Sequence, residues 1–355
     1  MTVRIPRAFA MRAFVLLLLV AELTAFSFAQ AAPRRVIIDT DPGTDDALAI
    51  MLALNSPELE VEAFTVVPGN VVAEQGLENA LKLMSLANRC DIPVAGGAKH
   101  PLNQKLITAE FWHGKNGLAD IELPAPKCKA DPRFGPDLII ELVHKYPHEI
   151  TLIPVGPLTN IALAVSKDPS IVGLVKDIVI MGGSITGGNS TGAAEANIYN
   201  DPEAAQIVFG AGWVVTMIGS DVGERTLMTR KQIGELQSTH GPENDLVAKI
   251  GDFYLSRSEK NGYDGAAMYD PLAVGTVIDP TLVKLQEMHI DVETRGQFTR
   301  GETVANRMGQ NEKYVLKGDH YEIVGYDVFS KNARVVVSSD SDRFLNLFIS
   351  RVKGK

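Results

Sequence analysis

The chain has 355 residues, 45% hydrophobic and 22% charged, with a formal net charge of −9, ordinary values for a globular protein that forms one large α/β domain or two smaller ones. An acidic body without a basic run argues against a nucleic-acid polymer as partner. Cys90 and Cys128 are the only cysteines, too few for a disulfide scaffold, and the sequence leaves their pairing open.

Residues 1–31 have the layout of a secretory signal peptide: Arg4, Arg7 and Arg12, an apolar run from Phe14 to Ala21, then Ala29-Gln30-Ala31 as the cleavage site. The run is shorter than the roughly 20 residues that span a bilayer, and Glu22 interrupts it, so a membrane anchor fits less well. The expectation is a secreted or periplasmic protein, with no membrane attachment after cleavage and a single domain over 32–355. Cleavage removes three arginines and one glutamate, taking the formal charge from −9 to −11.

From residue 34 short β-branched runs alternate with helical stretches. Val36-Ile37-Ile38 reads as a buried strand, and residues 45 to 54 as a helix apolar nearly all round. Strands are expected at 60–67, 149–154, 177–181 and 213–218, with helices at 74–87, 160–165 and 201–209 between them. A strand at 333–338 and a helix at 342–352 close the series. Strand and helix in alternation imply an α/β fold in one domain, an open, mostly parallel sheet with helices on both faces. Residues 295 to 330 are Gly-rich and polar, with a possible hairpin from Tyr314 to Phe329, and read as a surface loop or lid.

Asp39, Asp41, Asp45 and Asp46 fall within eight positions at the carboxyl end of the first strand, where open parallel sheets bind ligands. Thr44 or Asp45 as helix N-cap explains one carboxylate or two. Four exceed what capping requires, and hard oxygen ligands in a turn suit Ca²⁺ or Mg²⁺. A D-x-D-x-T/V phosphatase motif fails at Gly43. An EF-hand counted from Asp39 fails at its sixth position, Thr44, and its twelfth, Ile50.

Asp39-Thr40-Asp41-Pro42-Gly43-Thr44-Asp45-Asp46 resembles the D-x-D-P-G-x-D-D signature of the nucleoside hydrolase family. Further likenesses follow in order: Val67-Pro68-Gly69-Asn70, Ile153-Pro154-Val155-Gly156-Pro157-Leu158-Thr159-Asn160, Met181-Gly182-Gly183 with Asn189, Glu195-Ala196-Asn197, Asp201-Pro202-Glu203-Ala204-Ala205, and Asp270-Pro271-Leu272-Ala273. The resemblance implies a Rossmann-like core and hydrolysis of a ribonucleoside to ribose and free base. It also implies a bound Ca²⁺ and assembly as a homodimer or homotetramer. In that reading Asp41, Asp46 and Asp270 hold the ion with the main-chain carbonyl of Val155, and Asp41 serves as general base. Asp45, Asn70, Asn189, Glu195 and Asn197 hold the ribose hydroxyls, with Met181 lining the pocket and Asp39 structural or orienting the ligands.

One departure stands out. Many family members carry His before the late Asp, to protonate the leaving base, and here the residue is Tyr269. A phenol is a weaker proton donor than imidazolium at neutral pH; Tyr269 donates a hydrogen bond to the base, stacks on it or fills space. His113, in a Trp112-His113-Gly114 stretch that resembles the family's loop over the base, is the alternative donor, and Trp112 a stacking platform. The competing reading is a non-catalytic nucleoside- or ribose-binding protein that keeps the metal site. Base preference depends on loop residues near 112 and 255 to 269.

Overall fold

The computed structural model describes residues 32–306 and 310–353. The expected signal peptide lies outside the described residues. Among those described, no helix is long and apolar enough to cross a membrane.

The strands, in chain order, are β1 (Arg34–Thr40), β2 (Leu59–Val66), β3 (Val94–Gly96), β4 (Thr151–Pro154), β5 (Asp177–Met181) and β6 (Val215–Ile218). Then come β7 (Leu227–Met228), β8 (Ala266–Ala267), β9 (Val283–Val292), β10 (Thr303–Asn306), β11 (Gln310–Lys317), β12 (His320–Val328) and β13 (Ala333–Ser339). Nine of them form one sheet in the order β10-β9-β13-β6-β5-β4-β1-β2-β3. From β3 to β13 every pairing is parallel, and β9 and β10 add an antiparallel edge. The expected mostly parallel α/β sheet is therefore found. The β-branched core of β1 is buried on both faces, as a strand covered by helices on two sides must be.

The principal helices are α1 (Thr44–Leu54), α2 (Ala73–Leu86), α3 (Glu110–His113), α4 (Gly135–Lys145), α5 (Thr159–Lys167), α6 (Ala196–Asn200), α7 (Pro202–Gly210), α8 (Pro242–Lys260), α9 (Tyr269–Ile278) and α10 (Ser341–Val352). One apolar cluster joins β1 to α1, α2, α8, α9 and α10, and the other joins the opposite sheet face to α4, α5 and α7. Every residue of α1 from Thr44 to Ala53 is buried, which is why its sequence shows no polar stripe. Because β2 and β3 lie on one side of β1 and β4 on the other, the strand order reverses beside β1. Such a reversal opens a crevice at the carboxyl ends of the strands.

Three expectations need correction. The cap of α1 is neither Thr44 nor Asp45: Gly43 occupies the N-cap, and Asp46, one turn in, reaches back so that its Oδ2 accepts the Gly43 amide at 2.9 Å. Residues 255–260 are not loop but the end of α8. The hairpin exists as β11–β12, but it forms a separate two-stranded sheet, and among the described residues none from 295 to 330 lines the cavity described below, so those residues form no lid on it.

Cys90 and Cys128 are joined by a disulfide that closes a 38-residue separation. It ties the chain just after α2 to the segment beyond α3. Closing a loop of that length restricts the unfolded chain by about 2–4 kcal/mol. The double variant Cys90→Ser/Cys128→Ser is expected to lose that much in a guanidinium unfolding titration, with the slope of the transition little changed.

Candidate active site

The turn after β1 places its carboxylates at the crevice by backbone geometry alone. Asp39 is still in the strand and points inward: its Oδ1 accepts Thr65 Oγ1 at 2.5 Å and Asn160 Nδ2 at 2.7 Å, pinning β1 to β2 and α5. Burial, only partly offset by these bonds, pushes its carboxyl up to about 7. Asp41 follows the strand. Its Oδ2 accepts the Asn70 amide at 2.6 Å, and its Oδ1 is buried with no hydrogen-bond partner. Both oxygens of Asp46 are hydrogen-bonded: Oδ1 takes Thr40 Oγ1 at 2.5 Å and the Asp41 amide at 3.2 Å, and Oδ2 takes the Gly43 amide and Asn70 Nδ2, both at 2.9 Å.

Glycine is required where the backbone passes closest to Asp41. A Cβ on Gly69 would stand 2.1 Å from Asp41 Oδ2, and one on Gly156 2.5 Å from Oδ1. The turns after β2 and β4 thus clasp the carboxylate from two sides. Gly69→Ala is expected to lower turnover at least a hundredfold, because the Asp41 side chain has to move and the Pro157 ring, 2.9 Å from the added Cβ, has to shift with it; steady-state kinetics beside a thermal melt checks this.

Asp270 arrives from far along the sequence on the first turn of α9. One carboxylate oxygen each of Asp45, Asp46 and Asp270 lies within 4.8 Å of the others, all three buried. Asp41 is near enough that burial, then repulsion from Asp46 and later Asp45, holds its carboxyl well above the ordinary range. Burial and the charges of Asp45, Asp46 and Asp41 do the same to Asp270. Asp41 and Asp46 are 1% and 0% exposed, and an uncompensated buried carboxylate costs several kcal/mol. Unpartnered Oδ1 atoms on both Asp41 and Asp45 are oxygen donors without a proton or amide to meet. The donor set fits a hard divalent cation. The converging trio shares Asp46 and Asp270 with the expected ligands and brings in Asp45. The Val155 carbonyl accepts Asn197 Nδ2 at 2.8 Å.

Around these groups lies a cavity of about 680 Å³, large enough for a nucleoside. Asp41, Asp45, Asn70, Trp112, His113, Val155, Met181, Asn189, Glu195, Asn197, Tyr269 and Asp270 all line it, and Asp46 lies just beneath. Glu195 caps α6, accepting the amides of Asn197 at 2.9 Å, Gly183 at 2.9 Å and Ile198 at 3.1 Å; burial still raises its carboxyl to about 7. Asn189 Oδ1 accepts the Ala196 amide at 2.9 Å. Met181 ends β5 with its carbonyl and sulfur against Asn197 Nδ2.

His113 is buried rather than solvated. Its Nδ1 accepts the Thr44 amide at 3.2 Å, with Thr44 Oγ1 at 2.7 Å, so the ring caps one of the free amides at the start of α1. A proton on Nδ1 would break that contact, and burial lowers the imidazole to about 4. The ring is therefore neutral near pH 7 with its proton on Nε2, not an imidazolium. Trp112 meets Tyr263 edge-on, ring centroids 6.2 Å apart, across the cavity they both line. Tyr269 lines the cavity with its ring packed on Gly223, where an added Cβ would stand 2.2 Å from Tyr269 Cδ1. Sequence reasoning missed Tyr254, Tyr263 and Glu224, which line the cavity without sitting in a recognisable motif; only Tyr263 falls in the stretch marked as relevant to the base.

Residues 36–346 match the family described as inosine-uridine preferring nucleoside hydrolase. The chain is 41% identical over 276 residues to the pyrimidine-specific ribonucleoside hydrolase RihA of Photobacterium profundum, covering 77% of this chain and 89% of that protein. It is 39% identical over 320 residues to RihA of Escherichia coli, covering 90% and 98%. Among solved structures, the purine-preferring ribonucleoside hydrolase from Gardnerella vaginalis superposes with a TM-score of 0.81 at 37% identity, over 90% of this chain and 98% of that one. The plant nucleoside hydrolase PpNRh1 superposes with a TM-score of 0.82 at 34% identity, over 91% and 100%.

Proposed function

The chain belongs to the inosine-uridine preferring nucleoside hydrolase family, and on that premise we propose that it is an exported, Ca²⁺-dependent enzyme that cuts the N-glycosidic bond of ribonucleosides. Ribonucleoside hydrolysis is the activity its relatives carry in their names, and a merely binding protein is set aside on that ground. The observation that carries the mechanism is Asp41 Oδ1, a buried carboxylate oxygen with no partner, on a residue that lines the cavity and is repelled by the charges of Asp46 and Asp45.

Asp41, Asp46, Asp270 and the Val155 carbonyl would hold the ion, with Asp45, the third of the converging carboxylates, beside them. When bound, Ca²⁺ orients the vicinal ribose hydroxyls and acidifies a water, since it accepts up to about eight oxygens. Asp41 takes the proton of the attacking water at Oδ1. Asp45, Asn70, Asn189, Glu195 and Asn197 surround the sugar with acceptors and amides. The buried carboxylates favour the positive charge that develops at the anomeric carbon in an oxocarbenium-like transition state. His113, neutral, locks the loop after α3 onto α1 and offers only Nε2–H to the base.

Export rests on the sequence of residues 1–31 and is supported by the Cys90–Cys128 disulfide, a bond that persists in oxidising compartments. Assembly as a homodimer or homotetramer belongs to the same reading. The test is release of reducing sugar from a panel of cytidine, uridine, inosine and adenosine with Ca²⁺ present. Ribose from at least one supports the reading; binding of a nucleoside without any ribose release overturns it.

A further inference from the structure

Asp201-Pro202-Glu203-Ala204-Ala205 carries two acids that do not line the cavity and that the chemistry above leaves without a role. Their partners lie on the segment between β3 and α3. Residues 101–109 of that segment belong to no helix or strand, so side chains have to meet its backbone groups. Asp201, fully buried, caps α7 with Oδ1 accepting the Ala204 amide at 3.1 Å. Its Oδ2 accepts the Leu102 amide at 2.9 Å and Thr159 Oγ1 at 2.6 Å. Asn200 Nδ2 donates to the Ile107 carbonyl at 2.9 Å. Gln104 Nε2 donates to the last carbonyls of α6, those of Tyr199 at 2.7 Å and Asn200 at 2.8 Å.

Arg300 closes this arrangement from the loop between β9 and β10. Gly301, at φ +84°, packs that loop on α6, where an added Cβ would stand 2.9 Å from Tyr199 Cα. Arg300 Nε and Nη2 donate to Gln104 Oε1 at 3.1 and 2.9 Å. Nη1 and Nη2 donate to Glu203 Oε1 and Oε2 at 2.9 and 2.8 Å. A planar guanidinium serves an amide oxygen and both carboxylate oxygens at once; an ammonium has no such fork. Ile107, Thr108, Ala109, Tyr199 and Asn200 all line the cavity. The guanidinium, which does not line it, therefore fastens two stretches of its wall together.

We propose that Arg300 is a positioning residue for nucleoside binding: by bridging Gln104 to Glu203 it holds the wall segment 102–109 on α6, so that this side of the cavity is formed before a nucleoside arrives. The proposal rests on the nucleoside hydrolase reading above. Removing the bridge leaves Asp41, Asp46 and Asp270 on their own elements, the turn after β1, α1 and α9. What is lost is a preformed wall. The incoming ligand must then order segment 102–109 itself, at the expense of affinity. A wall that meets substrate and transition state alike changes KM and leaves kcat.

The experiment compares the wild type with Arg300→Ala, Arg300→Lys and Gln104→Ala. It reads steady-state kinetics, calorimetric dissociation constants for uridine and inosine, and amide hydrogen exchange across the chain. In all three variants KM and the dissociation constant are expected to rise about tenfold, with kcat within about threefold of wild type. Exchange should quicken at Leu102, bonded to Asp201, and at Ala109, bonded to the Asn70 carbonyl, while the amides of β1 and β4 stay protected. Arg300→Lys keeps the charge beside Glu203 without the fork, so it should restore little. Unchanged exchange at Leu102 and Ala109, unchanged affinity in Gln104→Ala, or full rescue by Arg300→Lys overturns the proposal. A fall in kcat with faster exchange throughout the sheet also overturns it, since that marks a merely structural role. Should Arg300→Ala fail to fold, Gln104→Ala, which keeps the Arg300–Glu203 pair, decides it. Exchange and dissociation constants need no turnover, so absence of ribose release in the wild type refutes the hydrolase reading without touching these measurements.

Discussion

Asp41→Asn is expected to lower kcat for ribonucleoside hydrolysis about a thousandfold, with stability unchanged or increased. The loss follows from removing a basic oxygen that no protein group hydrogen-bonds, and general-base contributions of about 10²–10⁴ set its size. The second half of the expectation is what separates this account from a structural one. Asp41 is buried among Asp45, Asp46 and Asp270, and repulsion from Asp46 and Asp45 adds to burial in pushing its carboxyl up. A neutral amide of the same shape removes that repulsion and can still accept the Asn70 amide that now reaches Oδ2. A thermal melt in chelator beside steady-state kinetics checks both parts. Retained turnover, or lost activity explained by an unfolded protein, would contradict the role.

Stripping divalent ions with a chelator is expected to reduce turnover below about 1% of its starting value, and Ca²⁺ in excess to restore it. Chelation leaves at least four buried acid groups facing one another, and the groups relieve the strain by holding protons, as the upward shifts of Asp41, Asp45 and Asp270 indicate. A base that carries a proton cannot take one from water. The same argument predicts a rise in melting temperature on Ca²⁺ addition, because a ligand at a hundred times its dissociation constant stabilises the folded state by about 2.7 kcal/mol. Full activity after exhaustive dialysis against chelator would contradict it.

How much of this was legible in the sequence depends on what each segment has to bury. β1, β4, β5 and β6 are covered on both faces, so their apolar runs announce themselves, and α1 reads as buried helix for the same reason. α8 did not: its sequence, PENDLVAKIGDFYLSRSEK, is dominated by polar residues on the exposed side, and only Leu246, Val247, Ile250, Tyr254 and Leu255 mark its inner face. β9 escaped because half of its residues, Lys284 to Glu287 and Asp291, are exposed and because it joins the sheet antiparallel, outside the alternating pattern.

At the site, the residues carried by motifs did come together, including Asp270, which lies 224 positions beyond Asp46. The individual hydrogen bonds could not be read. That Gly43 takes the N-cap of α1 with Asp46 reaching back to its amide, that Asn197 reaches the Val155 carbonyl, and that His113 accepts the Thr44 amide are all decided by the packing of distant segments. The protonation state of His113 follows from the last of those contacts, not from residue type.

The most direct test of the central claim is a calorimetric titration of Ca²⁺ into the chelator-stripped protein. One ion per chain, with uptake abolished in Asp270→Asn, is the expected result. No measurable heat, or the same uptake in wild type and Asp270→Asn, would mean that the carboxylates of the first turn and of α9 do not grip a cation together.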